Sequence, residues 1–430
     1  MPSRNADGPA RLSCWLRVRE FAVPPSMIES ATARRADGDW SAACAAARID
    51  VELNLRALAR THGGELAARI RADLRHLAPD LLRWHLPRIA PDGLLRPGLT
   101  ITLARYAGGD LHLVVRTPPA WADAGQRCSL ALWHRCAGGD GGGRPDRRFR
   151  LDLHRHLWDA RRAGDLRLRS GVEDTAELAG CAVDRWAAEA AILLRSPGEA
   201  GEAVAVRLGG RRRLILEPVD AATVRIVPGM IGGWAAALPV LPDAATWVLP
   251  DLALLRAGLI EPGRLHPLVA AALAPDHPAG SPPPPPPASG PRLVECRGAT
   301  HRIGLVDGVL VPLDHSPEEL GREELLVALG GPPLACLQAI DEVHRGPEEL
   351  AEVRARLDHG DAAGALAVVE ALLGPEALLR SGGLREELET AALRRVTHGL
   401  FRAGLTGRAP LPDRTERQKF RGHPRHAVHC

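Results

Sequence analysis

Two carboxylates and a histidine at positions 341, 342 and 344 have the spacing of a DExH box, with which helicase-type ATPases hold magnesium. That chemistry also needs a lysine on a glycine-rich loop, because the ammonium group reaches the β- and γ-phosphates of the nucleotide. The only lysine of the chain is Lys419, in a polar C-terminal segment. Apolar residues at 334, 337 and 340 recur at helical spacing. We therefore expect Asp341 and Glu342 on a solvated helix face.

The near absence of lysine disfavours three classes of enzyme. P-loop ATPases and protein kinases use a lysine to hold phosphates, and pyridoxal or Schiff-base enzymes use its amine. The sequence also contains no GxSxG nucleophile elbow, HExxH helix or EF-hand loop. We predict no cofactor and favour a protein without catalytic activity. A hydrolase whose active-site residues are scattered along the chain stays open as an alternative.

An arginine-rich segment, residues 144–169, is the best candidate for a polyanion contact. Its nine arginines face only four aspartates, and a further arginine triplet follows at 211–213. Such a concentration could bind the phosphates of a nucleic acid. We favour instead a solvated face on which arginine is frequent because of codon usage, so exchanging four of these arginines for glutamine should change stability little. The possible contact residues are Arg144, Arg147, Arg148, Arg150, Arg161, Arg162, Arg211, Arg212 and Arg213.

Side chains of the types that bind zinc are grouped in three places, none with the spacing of a known zinc site. The first group is His154 with His156. On a strand, His154 and His156 would share one face. We expect satisfied or solvent-facing histidines and predict no metal site. The eight cysteines form no CxxC pair, and several, such as Cys44, lie in apolar runs typical of small buried residues. The other two groups are Cys128 with His134 and Cys136, and the C-terminal His423, His426, His429 and Cys430.

Length and composition indicate a multidomain cytoplasmic protein. A chain of 430 residues suggests two or three domains, and 45% hydrophobic residues suffice for real cores. The net charge of +3 does not by itself imply a polyanion partner. Scarce lysine, asparagine and tyrosine beside abundant arginine, alanine and glycine indicate a GC-rich bacterial genome. We see no signal peptide and no stretch that could span a bilayer, so we expect no membrane association.

A run of six prolines divides a predicted α+β protein into two domains. The run lies in a linker, residues 275–291, which cannot join a core. Before it we predict an α+β domain, residues 27–274, that is helical over 27–90, β-rich over 98–217 and helical again over 250–274. After it we predict a β-hairpin with a helical bundle, residues 292–407. Residues 1–26 are expected to be a disordered leader or a mis-assigned start, and residues 408–430 a disordered tail.

Turn and cap residues position these elements. The Gly-Gly pair at 209–210 and the Asp-Gly pair at 307–308 each join two segments of alternating hydrophobicity, which is typical of two-residue hairpins. Asp39 is a candidate N-cap. Ser316 and Glu319 form a capping box around Pro317.

Four stretches resemble a family of proteins from high-GC bacteria. The family is associated with gene neighbourhoods that encode a MoxR-type AAA+ ATPase and a von Willebrand A-domain protein. The resemblance implies a non-enzymatic accessory or substrate-recognition role beside an ATPase, and it brings no functional residues with it. The stretches are GDWSAACAAARIDVELN (38–54), LRHLAPDLLRWHLPRI (74–89), LPDLALLRAGLIEPGRLHPLVAAAL (249–273) and HRIGLVDGVLVPLDHSPEEL (301–320).

Together these features predict a non-catalytic interaction or adaptor protein. We expect a protein partner, either an AAA+ ATPase or a von Willebrand A-domain protein. The first alternative is a nucleic-acid-binding module that uses the arginine-rich segment. The second is the unrecognised hydrolase.

Overall fold

The computed structural model describes residues 8–123, 125–135, 143–171, 178, 180–199, 201–209, 212–220, 223–229, 237–276, 292–345, 349–374, 378–405 and 427–428. The fold is α+β, as the sequence predicts. The chain divides into an N-terminal unit, Met1–Ser281 with Gly407–Cys430, and a C-terminal unit, Pro282–Thr406. Residues 277–291 of the predicted linker and most of the predicted tail lie outside the described residues. None of the described helices combines the length and the apolar character that crossing a bilayer requires.

The N-terminal unit combines short helices with small sheets. Asp39 accepts a hydrogen bond from the amide of Ala42 at 2.9 Å and caps the third helix, as predicted. The helices are α1 Gly8–Arg17, α2 Pro25–Ala36, α3 Trp40–Ala46, α4 Leu55–His62, α5 Gly64–His76, α6 Pro79–Trp84, α7 Leu166–Arg169, α8 Trp186–Leu194, α9 Asp243–Thr246, α10 Pro250–Arg256 and α11 Pro267–Leu273. The strands are β1 Ile49–Val51, β2 Arg88–Ile89, β3 Leu94–Leu95, β4 Thr100–Tyr106, β5 Leu111–Arg116, β6 Cys128–His134, β7 Val204–Arg207, β8 Arg213–Pro218 and β9 Val224–Pro228.

Residues 8–26 belong to the fold, which corrects the expectation of a disordered leader for this part of the chain. They form α1, a π-helical turn at Val18–Ala22 and the start of α2. Trp15 is fully buried, and its ring centroid lies 5.2 Å from that of Trp84. Charged residues in this stretch interrupt its apolar pattern, so the sequence did not indicate the helix. One of them, Arg11, donates to the carbonyl oxygens of Gly180 and Val248, each at 3.0 Å.

The largest sheet of the N-terminal unit has the strand order β1-β6-β5-β4. The strands β4, β5 and β6 are antiparallel and lie within the segment predicted to be β-rich. Strand β1 pairs with β6 in parallel, from Ile49 opposite Cys128 to Val51 opposite Leu130. The sequence did not indicate this pairing, because β1 is short and its partner lies far along the chain.

A second sheet of the N-terminal unit has the order β7-β8-β9. Its first two strands confirm the predicted hairpin, but the two-residue loop is wrong: the amide of Leu208 donates to the carbonyl oxygen of Arg212, so three residues, 209–211, separate the paired ends. Gly210 and Arg211 lie outside the described residues. Helix α8 packs on this sheet through Trp186 and Leu193, which share a core with Val204 and Leu216. The sheet therefore orients α8, which supplies a buried carboxylate considered below.

The C-terminal unit is a three-stranded sheet followed by helices. The predicted turn at Asp307-Gly308 is present, with positive φ at both residues, and a second turn of the same kind occurs at Arg297-Gly298. The capping box of Ser316 and Glu319 is also present. The strands are β10 Arg292–Cys296, β11 Ala299–Val306 and β12 Val309–Pro312; the helices are α12 Pro317–Ala328, α13 Ala335–Arg345, α14 Leu350–Asp358, α15 Ala362–Leu373 and α16 Gly383–Arg402. A last short strand, β13 Ala427–Val428, pairs with β2 of the N-terminal unit.

Candidate functional site

The arginine-rich segment is largely engaged in ion pairs inside the N-terminal unit. Arg155 and Arg161 both donate to Asp73 and Asp159, at 2.5 to 2.9 Å for the shortest contact of each pair. The hydroxyl of Tyr106 donates to Asp73 at 2.6 Å. These contacts hold the pKa of both carboxyl groups below its usual value, although their burial acts in the opposite direction. The cluster connects helix α5 to the 3-10 turns at Arg155–Leu157 and Ala160–Asp165.

Two predicted contact residues are turned inward. Arg150 is 3% exposed and bonds Asp152 at 2.9 Å and Glu199 at 2.8 Å. Arg148 donates to both carboxylate oxygens of Asp243, at 3.2 and 2.7 Å. The prediction of a polyanion contact is therefore wrong for Arg150, whose guanidinium is enclosed, and Arg148 is held by a buried carboxylate. At these two positions the arginines form ion pairs with buried carboxylates and do not belong to a solvated face.

The remaining predicted contact residues differ in exposure. Arg144 and Arg212 are exposed, Arg213 is half-buried in β8, and Arg211 lies outside the described residues. The side chains of Arg147 and Arg162 are 56% and 59% exposed, and each lies beside a carboxylate: Glu199 at 3.9 Å and Asp165 at 2.7 Å. The charges of Arg147 and Arg162 are thus locally offset.

His154 and His156 lie at a 3-10 turn and not on a strand, so the expectation of a shared strand face is wrong. Both are buried, with ring centroids 5.7 Å apart. Nε2 of His154 lies 3.2 Å from a carboxylate oxygen of Glu189, and Nδ1 of His156 lies 3.3 Å from Arg169. Burial and the neighbouring Arg169 charge lower the pKa of His156, while hydrogen bonds from His154 and Arg169 lower that of Glu189 against its burial.

A further group of buried polar side chains lies beneath helix α6. His266 accepts a hydrogen bond from the amide of Leu268 through Nδ1, so Nε2 carries the proton that it donates to Asp80 at 2.8 Å. Burial lowers the pKa of His85 to about 3. The space beside His85 is only about 10 Å³, roughly the volume that one water needs. The pair of His266 and Asp80 combines residue types that hydrolases use, but the space beside the neighbouring His85 is too small for a substrate.

An open depression of about 680 Å³ lies elsewhere in this unit. Arg35, Arg75 and His76 are its polar lining residues apart from Thr32, and its described lining includes no carboxylate. A general acid–base pair needs two titratable groups at the same substrate. The depression therefore lacks the arrangement that the hydrolase alternative requires.

The DExH-like segment lies on helix α13, as predicted. Asp341 and Glu342 are exposed, whereas Ile340 and Val343 are buried on the opposite side of the helix. A magnesium-binding motif of an ATPase would instead follow a buried strand. The acidic pair is thus placed on the outer helix face.

Exposed apolar side chains form a stripe on helix α16. Leu393, Val396 and Leu400 are 66%, 59% and 42% exposed. Their spacing of i, i+3 and i+7 places them on one face. Further exposed apolar side chains lie at the C-terminal end of α12 and just after it: Leu325, Leu326, Val327 and Leu329.

Three side chains that can bind a metal ion lie close together in the C-terminal unit. The sequence alone did not indicate that they meet. Cys296, His315 and Cys336 each place a ligand atom within 4.8 Å of the other two. They come from a strand, a loop and a helix, so no local spacing could reveal them.

The whole chain was also compared with known proteins. No family model, curated protein or solved structure matches it.

Proposed function

We propose that the protein is a non-catalytic adaptor that binds a partner protein through the apolar stripe of helix α16. The observation that carries the proposal is the exposure of Leu393, Val396 and Leu400 on one face of a 20-residue helix. Full burial of a leucine or valine side chain is worth about 1.5–3 kcal/mol. Three such side chains exposed in a row supply the apolar centre that a protein–protein interface needs.

The geometry of the stripe favours a helical partner segment. Residues spaced at i, i+3 and i+7 fit the groove between the ridges of a second amphipathic helix. Glu389 and Glu386 lie one and two turns before Leu393, towards the start of α16. A basic end on the partner helix would complement them and fix its direction.

The resemblance to proteins encoded beside a MoxR-type AAA+ ATPase suggests where the partner is to be found. We propose the ATPase or the von Willebrand A-domain protein as the occupant of the stripe. The single lysine of this chain, Lys419, agrees with leaving nucleotide chemistry to the partner. The internal ion pairs of the arginine-rich segment give a nucleic-acid role less support.

Co-purification of the full-length chain with each neighbouring gene product tests the proposal. Leu393→Glu with Leu400→Glu should weaken binding by more than tenfold per leucine, since 1.4 kcal/mol corresponds to tenfold. Arg395→Glu is the matched control, because Arg395 is exposed on the opposite side of α16, and it should bind as the wild type does. Unchanged binding of the double variant would refute the stripe as the interface, and tight salt-dependent binding of DNA or RNA would favour the alternative.

A further inference from the structure

The ligand atoms of Cys296, His315 and Cys336 form a compact group in the C-terminal unit. Each lies within 4.8 Å of the other two. Both cysteines are buried, their thiols are not joined in a disulfide, and the His315 side chain is 5% exposed. In tetrahedral zinc sites, metal–sulfur and metal–nitrogen bonds of about 2.3 and 2.1 Å place neighbouring ligand atoms about 3.4–3.8 Å apart. Small side-chain rotations therefore suffice to close the group around one ion.

The backbone around each residue is fixed by other contacts. Cys296 ends β10 beside the tight turn Arg297-Gly298, and Arg297 is ion-paired with Glu323 of α12. Cys336 lies in the first turn of α13, next to the buried Leu334. These restraints hold two of the three ligands in place without a metal, so little order has to be gained on binding.

His315 is held on both sides. Asp314 pairs with Arg302 at 2.6 Å, and Ser316 begins the capping box of α12. The His315 ring stacks on His301 with 4.3 Å between centroids and 11° between planes. Its Nδ1 lies 3.8 Å from Glu319, while Nε2 is buried without a hydrogen-bond partner. Metal-binding histidines usually donate the N–H of their other ring nitrogen to a carboxylate, and a small side-chain movement would bring Glu319 into that role.

We propose that Cys296, His315 and Cys336 bind one Zn²⁺ ion, with a water molecule as the fourth ligand. Two thiolates and an imidazole are soft or borderline donors, which suit zinc and do not suit magnesium or calcium. Both thiols give up their protons to solvent on binding, so the ion's two positive charges are balanced by two thiolates.

The bound ion would join three elements that share only a small apolar cluster. Cys296 and Cys336 are packed with Leu334, and few further side chains surround them. A metal commonly stabilises small folded units whose cores are limited. The zinc site is independent of the helix α16 stripe, because none of its ligands lies on that helix.

Metal titration of the full-length protein tests the site. Reduced, chelator-treated protein is titrated with Co²⁺ alone, followed by displacement with Zn²⁺. We expect one equivalent of cobalt, d–d bands of tetrahedral geometry and thiolate-to-cobalt charge transfer, all lost on adding zinc. Cys296→Ala, Cys336→Ala and His315→Ala should each lower the affinity at least a hundredfold, whereas Cys44→Ala, a buried cysteine of the N-terminal unit, should bind as the wild type does.

A variant that exchanges one ligand for another keeps the test decisive if the alanine variants fail to fold. His315→Cys should retain the metal and raise the charge-transfer intensity roughly 1.5-fold, as three thiolates replace two. The proposal is overturned if the reduced wild type takes up no stoichiometric metal, or if the spectrum of His315→Cys equals that of the wild type. A metal-free protein with a Cys296–Cys336 disulfide, identified by mass spectrometry without reductant, would overturn it as well.

Discussion

Arg169 donates to both carboxylate oxygens of Glu189, from Nε at 2.8 Å and from Nη2 at 2.5 Å. The two residues are 20 positions apart, on α7 and α8. His154 approaches the same carboxylate from a third element. The pair therefore ties the end of the arginine-rich segment to the helix that covers the β7-β8-β9 sheet, and it gives arginine in this segment a structural role.

Removing the buried carboxylate should destabilise the N-terminal unit. In Glu189→Gln the Arg169 charge loses its partner in a place that water reaches poorly, so we expect a loss of about 3–5 kcal/mol in the free energy of unfolding. Tryptophan fluorescence during urea unfolding measures it selectively, because all nine tryptophans belong to the N-terminal unit. The control Glu217→Gln breaks the exposed Arg225 pair in the same unit and should cost less than about 1 kcal/mol.

Two sets of arginines should differ in the same measurement. Arg150→Gln removes the buried partner of Glu199 and one of the two arginines that pair with Asp152, the other being Arg105, so we expect a loss of about 3 kcal/mol. The double variant Arg147→Gln with Arg162→Gln changes exposed side chains and should stay within about 1 kcal/mol of the wild type. Equal effects of the two sets would support the solvated face that the sequence suggested. We therefore expect the glutamine exchanges that the sequence suggested to be harmless only at the exposed members of the set.

Local interactions made much of the fold predictable. The Asp39 cap, the capping box of Ser316 and the turn at Asp307-Gly308 each depend on residues within four positions of one another. The interactions that stabilise them involve only neighbouring residues, so the local sequence suffices to predict them. These elements occur where they were expected.

Interactions across long sequence separations could not be inferred in the same way. Arg148 and Asp243 are 95 positions apart, and only tertiary packing brings them together. The parallel pairing of Ile49 with Cys128 and the approach of Cys296 to Cys336 have the same origin. Each residue alone has an ordinary local context, so the sequence showed a basic segment and isolated cysteines where the fold has ion pairs and a cluster of two cysteines and a histidine.

The orientation of helix α13 gives a third prediction. Glu342→Gln should leave the free energy of unfolding within about 0.5 kcal/mol of the wild type, because its side chain is exposed. Ile340→Ala, two positions away, removes a side chain that is 2% exposed and should cost about 2–5 kcal/mol. Far-UV circular dichroism must follow this transition, since the C-terminal unit has no tryptophan. A larger effect of the glutamate exchange would contradict the assigned helix face.

The low pKa of His85 should make the N-terminal unit less stable in mild acid. Burial, with a smaller contribution from His266, lowers this pKa from 6.5 to about 3. Between these values the unfolded chain binds a proton that the folded chain does not, so stability falls as the pH decreases. A single group of this kind contributes about 1.4 kcal/mol per pH unit, beginning below pH 6.5.

His85→Leu isolates this contribution. The side chain faces Ile101, Phe149 and Leu151, so leucine fits an apolar wall, and neither ring nitrogen has a hydrogen-bond partner to lose. Urea unfolding followed by tryptophan fluorescence from pH 4 to 6.5 should show that the variant's stability depends on pH with a slope lower by about one proton. Because His156 is also buried with a lowered pKa, the variant should keep part of the wild-type slope. Identical slopes for the two proteins would mean that His85 titrates normally in the folded state.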